Sequence, residues 1–210
     1  MRFKMSFKIP TERGNVLLRD PQNFGKTMGE IIADVKRCGD VMRNLRDLYR
    51  EQKGKFDPVD INTVVDETIQ LLHSEFIFQH IILAKECAPT IPKINGNTIQ
   101  LQQVLVNLIM NGIQAMSDLV REDRHLLIRT TFDKKNIMAW IEDRGPGIPA
   151  DKIDRIFEPL ATWKPGGTGM GLAISNSVIE AHGGKVWAEN KPDGGARVGF
   201  ILPVLKKGQK

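Results

Sequence analysis

Three polar motifs interrupt apolar segments between residues 100 and 172, and each stands where a predicted helix or strand carries or meets it. The first is Gln103-Val104-Leu105-Val106-Asn107-Leu108-Ile109-Met110-Asn111-Gly112, inside a stretch predicted as helix. The second, Asp143-Arg144-Gly145-Pro146-Gly147-Ile148-Pro149, follows a strand. The third, Gly167-Thr168-Gly169-Met170-Gly171-Leu172, leads straight into a helix. Each is weak evidence alone. The order of the three is what constrains the chain.

Residues 1–23 have no clear period, and Gly14, Pro21 and Asn23 mark turns. From Phe24 a four-three spacing runs through Met28, Ile31, Val35, Cys38, Met42, Leu45 and Tyr49. Such a seam predicts a long amphipathic helix over 24–55 that needs a partner helix, most simply from a second copy of the chain. The alternative is a helix lying on its own domain. Gly54 and Pro58 end the helix and form a hinge, and residues 56–210 read as one domain. Within it, Val59-Asp60-Ile61 reads as a short strand, and Asn62 as the cap of a helix through Val65, Ile69 and Leu72. Residues 81–87 read as a strand and 88–96 as a turn-rich link. Asn97 or Thr98 starts the helix carrying the first motif. Strands are expected over 126–132, 137–142, 185–189 and 197–202, with a helix from Leu172 to Ala181 stopped at His182-Gly183-Gly184. The fold class is therefore α+β: a mixed sheet covered on one face by helices.

Composition excludes several classes. No apolar run approaches the roughly 18 residues of a membrane span, and Met1–Pro10 lacks the continuous apolar core of a signal peptide. Cys38 and Cys87 lie far apart and suggest neither a disulfide framework nor a metal site, so a reduced cytoplasm is the expected compartment. The net charge of +5 is uneven: residues 1–55 carry 13 Lys and Arg against 7 Asp and Glu, and residues 56–210 carry 17 against 18. A solvated helix face explains the basic excess more simply than an acidic partner does, and nucleic acid is not expected as a partner.

The motif residues suit a nucleotide. Asn107 and Asn111, four apart, share one helix face. An amide oxygen is a neutral hard ligand for Mg²⁺, although buried asparagines also simply cap or brace a sheet. Asp143 ends a strand before a glycine-rich turn, and an ionised carboxylate, being acceptor-only, selects an amine donor. Gly145 and Gly147 allow close backbone approach, though a plain Asp-Gly turn is common. Gly167, Gly169 and Gly171 ahead of a helix supply backbone N–H groups and a positive helix end for phosphate. The spacing fits neither a Rossmann fingerprint nor a Walker A loop. Gly25-Lys26-Thr27 has Asp20 where the latter requires glycine.

Taken in order, the motifs resemble the N, G1 and G2 boxes of the ATP-binding domain shared by sensor histidine kinases, gyrase-type topoisomerases, Hsp90-type chaperones and MutL-type repair proteins. Ile156-Phe157-Glu158-Pro159-Leu160-Ala161-Thr162-Trp163-Lys164-Pro165 resembles the F box and short lid of the histidine-kinase branch. The resemblance covers residues 57 to 204 and implies a Bergerat-type α/β sandwich binding ATP and Mg²⁺. It implies that Asn111 coordinates the metal, Asn107 supports phosphate or catalytic geometry, and Asp143 binds the adenine amine. It further implies that Gly145, Gly147 and Ile148 line the base, that Gly167, Thr168, Gly169, Met170, Gly171 and Leu172 cradle phosphate, and that Lys164 meets the phosphates from the lid. Trp163 packs on Phe157 or shields the ligand, with neither alternative preferred. Gly112 replaces the usual alanine, and Arg197 stands where many members place a threonine near the adenine.

The gyrase, Hsp90 and MutL branches carry a catalytic glutamate four residues before the metal asparagine. Here that position is Asn107, whose amide cannot take a proton. The resemblance thus implies a histidine kinase that passes phosphoryl from ATP to a histidine and on to the receiver domain of a response regulator. None of His73, His80, His125 and His182 lies in the family's acceptor box, so the acceptor is expected on a separate histidine-bearing dimerisation helix or chain. The helix over 24–55 resembles the second dimerisation helix of that family, which implies a homodimer. A nucleotide-binding docking module without transfer and an anti-sigma-type serine kinase are the alternatives. The heptad helix counts against the serine kinase.

Overall fold

The computed structural model describes residues 55–161 and 169–205. The segments expected at 1–23 and 24–55 therefore lie outside the described residues, save for Lys55, as do Trp163, Lys164, Gly167 and Thr168. The elements run β1 (Asp57–Val59), α1 (Ile61–Leu71), α2 (His73–Phe78), β2 (Ile82–Cys87), β3 (Ile94–Gly96), α3 (Thr98–Ala115), β4 (His125–Phe132), β5 (Asn136–Glu142), α4 (Gly171–Ala181), β6 (Lys185–Asn190) and β7 (Ala196–Pro203).

Local sequence explains most of these bounds. Asn97 caps α3, its Oδ1 accepting from Ile99 N at 3.0 Å and Gln100 N at 3.2 Å. Leu101, Val104, Leu105, Leu108, Gly112 and Ile113 then recur at helical spacing and are buried. β4 and β5 alternate buried and half-buried residues, so Leu126, Ile128, Thr130, Ile137, Ala139 and Ile141 face the core. Their hairpin is tied by Asp133, whose Oδ1 accepts from Lys135 N and Asn136 N and whose carboxyl is held below its ordinary pKa by those bonds. Gly183, at φ +73°, follows the end of α4.

The main sheet has the order β2-β4-β5-β7-β6, with β2 parallel to β4 and every other pair antiparallel. α1, α3 and α4 bury Val64, Leu105, Leu108, Ile174 and Ile179 in one core with Ile128, Ile141 and Phe200 of the sheet. The expected α+β sandwich is what is found. On the sheet's other face Trp140 lies 6.2 Å from Trp187, and Arg129 stands 5.7 Å over the Trp140 ring. Burial pushes the Glu142 carboxyl up, but Trp140 Nε1–H, Arg197 and Lys191 outweigh it and hold the pKa below its ordinary value.

Three local expectations are corrected. The first strand ends at Val59, because Asp60, not Asn62, caps α1 by accepting from Asn62 N at 2.9 Å. Asn62 instead braces the helix against the sheet: its Nδ2 donates to Ala88 O at 2.8 Å and its Oδ1 accepts from Thr130 Oγ1 at 2.7 Å. The link at 88–96 also holds β3, which pairs antiparallel with β1.

His182 closes α4 and gives a pH prediction. Nδ1–H donates to Val178 O at 2.7 Å, and Nε2 accepts from Asn97 N–H at 3.0 Å, which fixes a neutral tautomer. Burial lowers its pKa, and the Val178 bond opposes this only in part. The unfolded side chain takes its proton near about pH 6.5. The stability linked to this group is therefore complete above that value and is lost as pH falls toward the lowered folded pKa. The urea midpoint should drop between about pH 7.5 and about pH 5.5. His182→Gln should flatten that slope, and an unchanged slope would discard His182 as its source.

Candidate functional site

α3 displays Asn107 and Asn111 one turn apart, both half-buried. Asn107 joins the first motif to the third: its Nδ2 donates to Gly171 O at 3.3 Å and lies 3.5 Å from Ser175 Oγ. Ser175 Oγ itself donates to Gly171 O at 3.0 Å, which fixes the first turn of α4. The Asn107 amide lies against Gly171, where a Cβ would be in ordinary contact 3.7 Å from the amide carbon.

Asp143 leaves the end of β5 and is buried. Its Oδ1 accepts from Gly145 N at 2.8 Å and from Ala196 N at 3.4 Å, so the carboxylate shapes the loop that follows it. Gly112 of α3 backs the same residue, a Cβ there falling 3.7 Å from Asp143 Cβ and 2.7 Å from Leu126 Cδ1. The glycine that replaces the family's alanine thus leaves room for Leu126. Gly145 packs where a Cβ would sit 2.7 Å from Ala115 O, which draws the second motif onto the end of α3. Gly147 takes φ +81°, the left-handed conformation that favours glycine.

At the third motif, Leu160 N donates to Gly169 O at 3.0 Å. Gly169 adopts φ +65°, and a Cβ there would meet the Leu160 carbonyl carbon at 2.5 Å. The two flanks of 162–168 therefore lie side by side. Met170 is the N-cap residue of α4, and Leu172 packs partly on the core.

The β6–β7 hairpin is read from sequence, but its contacts with the loop after Asp143 are not. Asn190, at the end of β6, accepts from Ile148 N at 2.7 Å through Oδ1 and donates to Ile148 O at 2.7 Å through Nδ2. Gly195 takes φ +82°, and a Cβ there would fall 2.0 Å from Asp143 O. The run Pro192-Asp193-Gly194-Gly195 reads in sequence only as a turn. The resemblance sets Arg197 where many members place a threonine near the adenine. The arginine turns to the sheet's outer face, where Nε lies 3.1 Å from Glu142 and Nη1 lies 3.1 Å from Glu189, and it is the Ala196 amide that meets Asp143. Strand alternation gives the reason, since neighbours on β7 face opposite ways.

No histidine stands with these residues in the described structure as a bonded partner. His73 and His80 are exposed, His125 bonds the Glu122 carbonyl at 3.0 Å, and His182 is occupied as above. Among the described residues no three His, Cys, Asp or Glu side chains group as a metal site, and no helix is long and apolar enough to cross a membrane.

Residues 96–206 match the family model described as histidine kinase-, DNA gyrase B-, and HSP90-like ATPase. The chain is 35% identical over 181 residues to the sensor histidine kinase TmoS of Ectopseudomonas mendocina, covering 85% of this chain and 19% of that protein. It is 34% identical over 170 residues to the sensor protein FixL of Bradyrhizobium diazoefficiens, covering 80% of this chain and 33% of the relative. The chain thus spans a minor part of the curated relatives it matches. Among solved structures, the catalytic domain of histidine kinase ThkA aligns with a TM-score of 0.63 and 27% identity over 71% of this chain and 96% of that one. The fold is shared with ThkA in its complex with the response regulator TrrA, at a TM-score of 0.73 and 23% identity over 93% of this chain and 57% of that one.

Proposed function

The chain belongs to the histidine kinase-, DNA gyrase B- and HSP90-like ATPase family, and from that premise we propose that it is the ATP-binding catalytic domain of a cytoplasmic two-component sensor histidine kinase. One observation carries the reading: α3 meets both glycine motifs, the third through Asn107 and Gly171 and the second through Ala115 and Gly145. Base and phosphate subsites then share one helix as their floor.

On this reading Asp143 receives the adenine amine, with Gly147 and Ile148 beside the base. Backbone N–H groups of 167–172 receive phosphate at the start of α4. Lys164 adds a cation from the lid. The donor type fits Mg²⁺: Asn111 would offer one neutral amide oxygen, a hard ligand for an ion that would otherwise be held by phosphates and water. When bound, the ion neutralises charge developing on the transferred group. The P–O bond to the β-phosphate breaks, a P–N bond forms on an acceptor imidazole, and ADP leaves. The phosphoryl group then passes to an aspartate of a receiver domain.

Asn107 supports transfer over hydrolysis. Its Nδ2 is engaged by Gly171 and Ser175, and a neutral amide cannot deprotonate water. The acceptor is proposed to come from a separate histidine-bearing dimerisation helix or chain, with residues 24–55 pairing two copies. The second reading is a nucleotide-binding docking module without transfer, which the engagement of both His182 ring nitrogens would suit.

The test is incubation with γ-labelled ATP, alone and with a histidine-bearing dimerisation hairpin. Acid-labile label on the hairpin is expected. Tight ATP binding with no transfer would select the docking module, and acid-stable label on serine would select an anti-sigma-type kinase.

A further inference from the structure

We propose that Asn190 is a positioning residue for the adenine side of the nucleotide site, holding the loop after Asp143 through a two-bond clamp on the Ile148 backbone. The inference rests on the ATP-site reading above. Ile148 N–H finds its acceptor in Asn190 Oδ1 and Ile148 C=O finds its donor in Asn190 Nδ2, each at 2.7 Å. A side-chain amide sets a donor and an acceptor side by side, matching the N–H and C=O of one residue, and only one amide orientation satisfies both groups. The contact also shapes Gly147, where a Cβ would fall 2.8 Å from Asn190 Oδ1.

The clamp is anchored away from the loop. Asn190 ends β6 in register with Ala196, and Lys191 N donates to Gly195 O at 3.0 Å to close the turn. Ala196 accepts from Asp143 N at 3.0 Å and donates to Asp143 Oδ1. The β6–β7 hairpin therefore grips the loop at both ends, at Asp143 and at Ile148. The strand pairing holds the first grip without side chains. The second depends on Asn190 alone among the contacts described for Ile148. The Asn190 side chain is exposed and adds nothing to the apolar core, so its replacement spares the packing that holds the sheet and helices together. Freeing Ile148 loosens the surface that faces the base, while Asn107, Asn111 and the start of α4 keep their contacts.

The experiment measures dissociation constants for Mg·ATP and for Mg·tripolyphosphate, which probes the phosphate end alone, together with the melting temperature without ligand. Asn190→Ala is expected to weaken ATP about tenfold, as the loss of two solvent-accessible hydrogen bonds would. Tripolyphosphate binding and melting should stay near the wild-type values. Asn190→Asp keeps the size and the acceptor but sets a carboxylate against Ile148 C=O, so it should weaken ATP at least as much, and it carries the test if the alanine variant melts early. ATP affinity unchanged in both variants overturns the proposal, as does equal weakening of both ligands. A wild-type protein that binds no ATP overturns the reading of the site, and this inference with it, which separates the two failures.

Discussion

Asp143→Asn is expected to weaken ATP binding about 100-fold, roughly 2.7 kcal/mol, while leaving the fold intact. The asparagine keeps an oxygen for the Gly145 and Ala196 amides, so the turn beneath the base holds its shape. It loses the charge, and it places an NH₂ group where the remaining carboxylate oxygen is proposed to meet the adenine amine. Donor then faces donor in a buried place, an arrangement that binding sites reject strongly. Inosine triphosphate, with a carbonyl in place of the amine, should be hurt far less, so the preference for ATP over it should shrink by about the same factor. Competition binding of the two nucleotides reads this directly. An unchanged preference would remove Asp143 from base recognition. Asp143→Ala is the cruder change, since it also strips both loop amides of their acceptor and should lower the melting temperature as well.

The sequence shows local relations well and distant ones badly. Asn97 as a cap, the buried stripe of α3 and the stop at His182-Gly183-Gly184 involve neighbours within a few residues, so residue type alone predicts them. The same holds for Asp143 and its glycines, where a carboxylate bonds an amide two residues on. Asn62 reads as a cap on the same logic, but Asp60 stands two residues earlier and takes the cap. Asn62 bonds Thr130, 68 residues away, through a contact no local pattern reveals. Asn190 and Ile148 are 42 residues apart, and the asparagine before a Pro-Asp-Gly-Gly turn carries a turn signal strong enough to hide a second role. Ser175 is hidden likewise among the small residues of α4, although its hydroxyl helps hold the first turn on which the phosphate reading depends. β1 and β3 are only three residues each, too short for alternation to stand out: β1 reads two residues late, at Val59-Asp60-Ile61, and β3 is visible only once paired with it.

Asn111→Ala is expected to cut phosphoryl transfer by about 100-fold to 1,000-fold and to abolish the response to Mg²⁺ concentration, as the loss of a metal ligand or transition-state donor does elsewhere. Alanine has the highest helix propensity, so α3 should persist, and the buried stripe that fixes the helix lies on residues such as Leu108 and Ile109 that the change does not touch. The melting temperature, measured beside transfer, reports what the change does to folding. At Asn107 alanine also releases the Gly171 carbonyl and the start of α4 and should lower stability by about 1 kcal/mol. The comparison tests the division of labour along one helix face. Transfer measured against Mg²⁺ should show a saturating rise for the wild type, a rise of lower amplitude for Asn107→Ala, and a flat line for Asn111→Ala. A saturating rise in the Asn111 variant with the wild-type midpoint would move the metal to another ligand and leave Asn111 as a brace of α3.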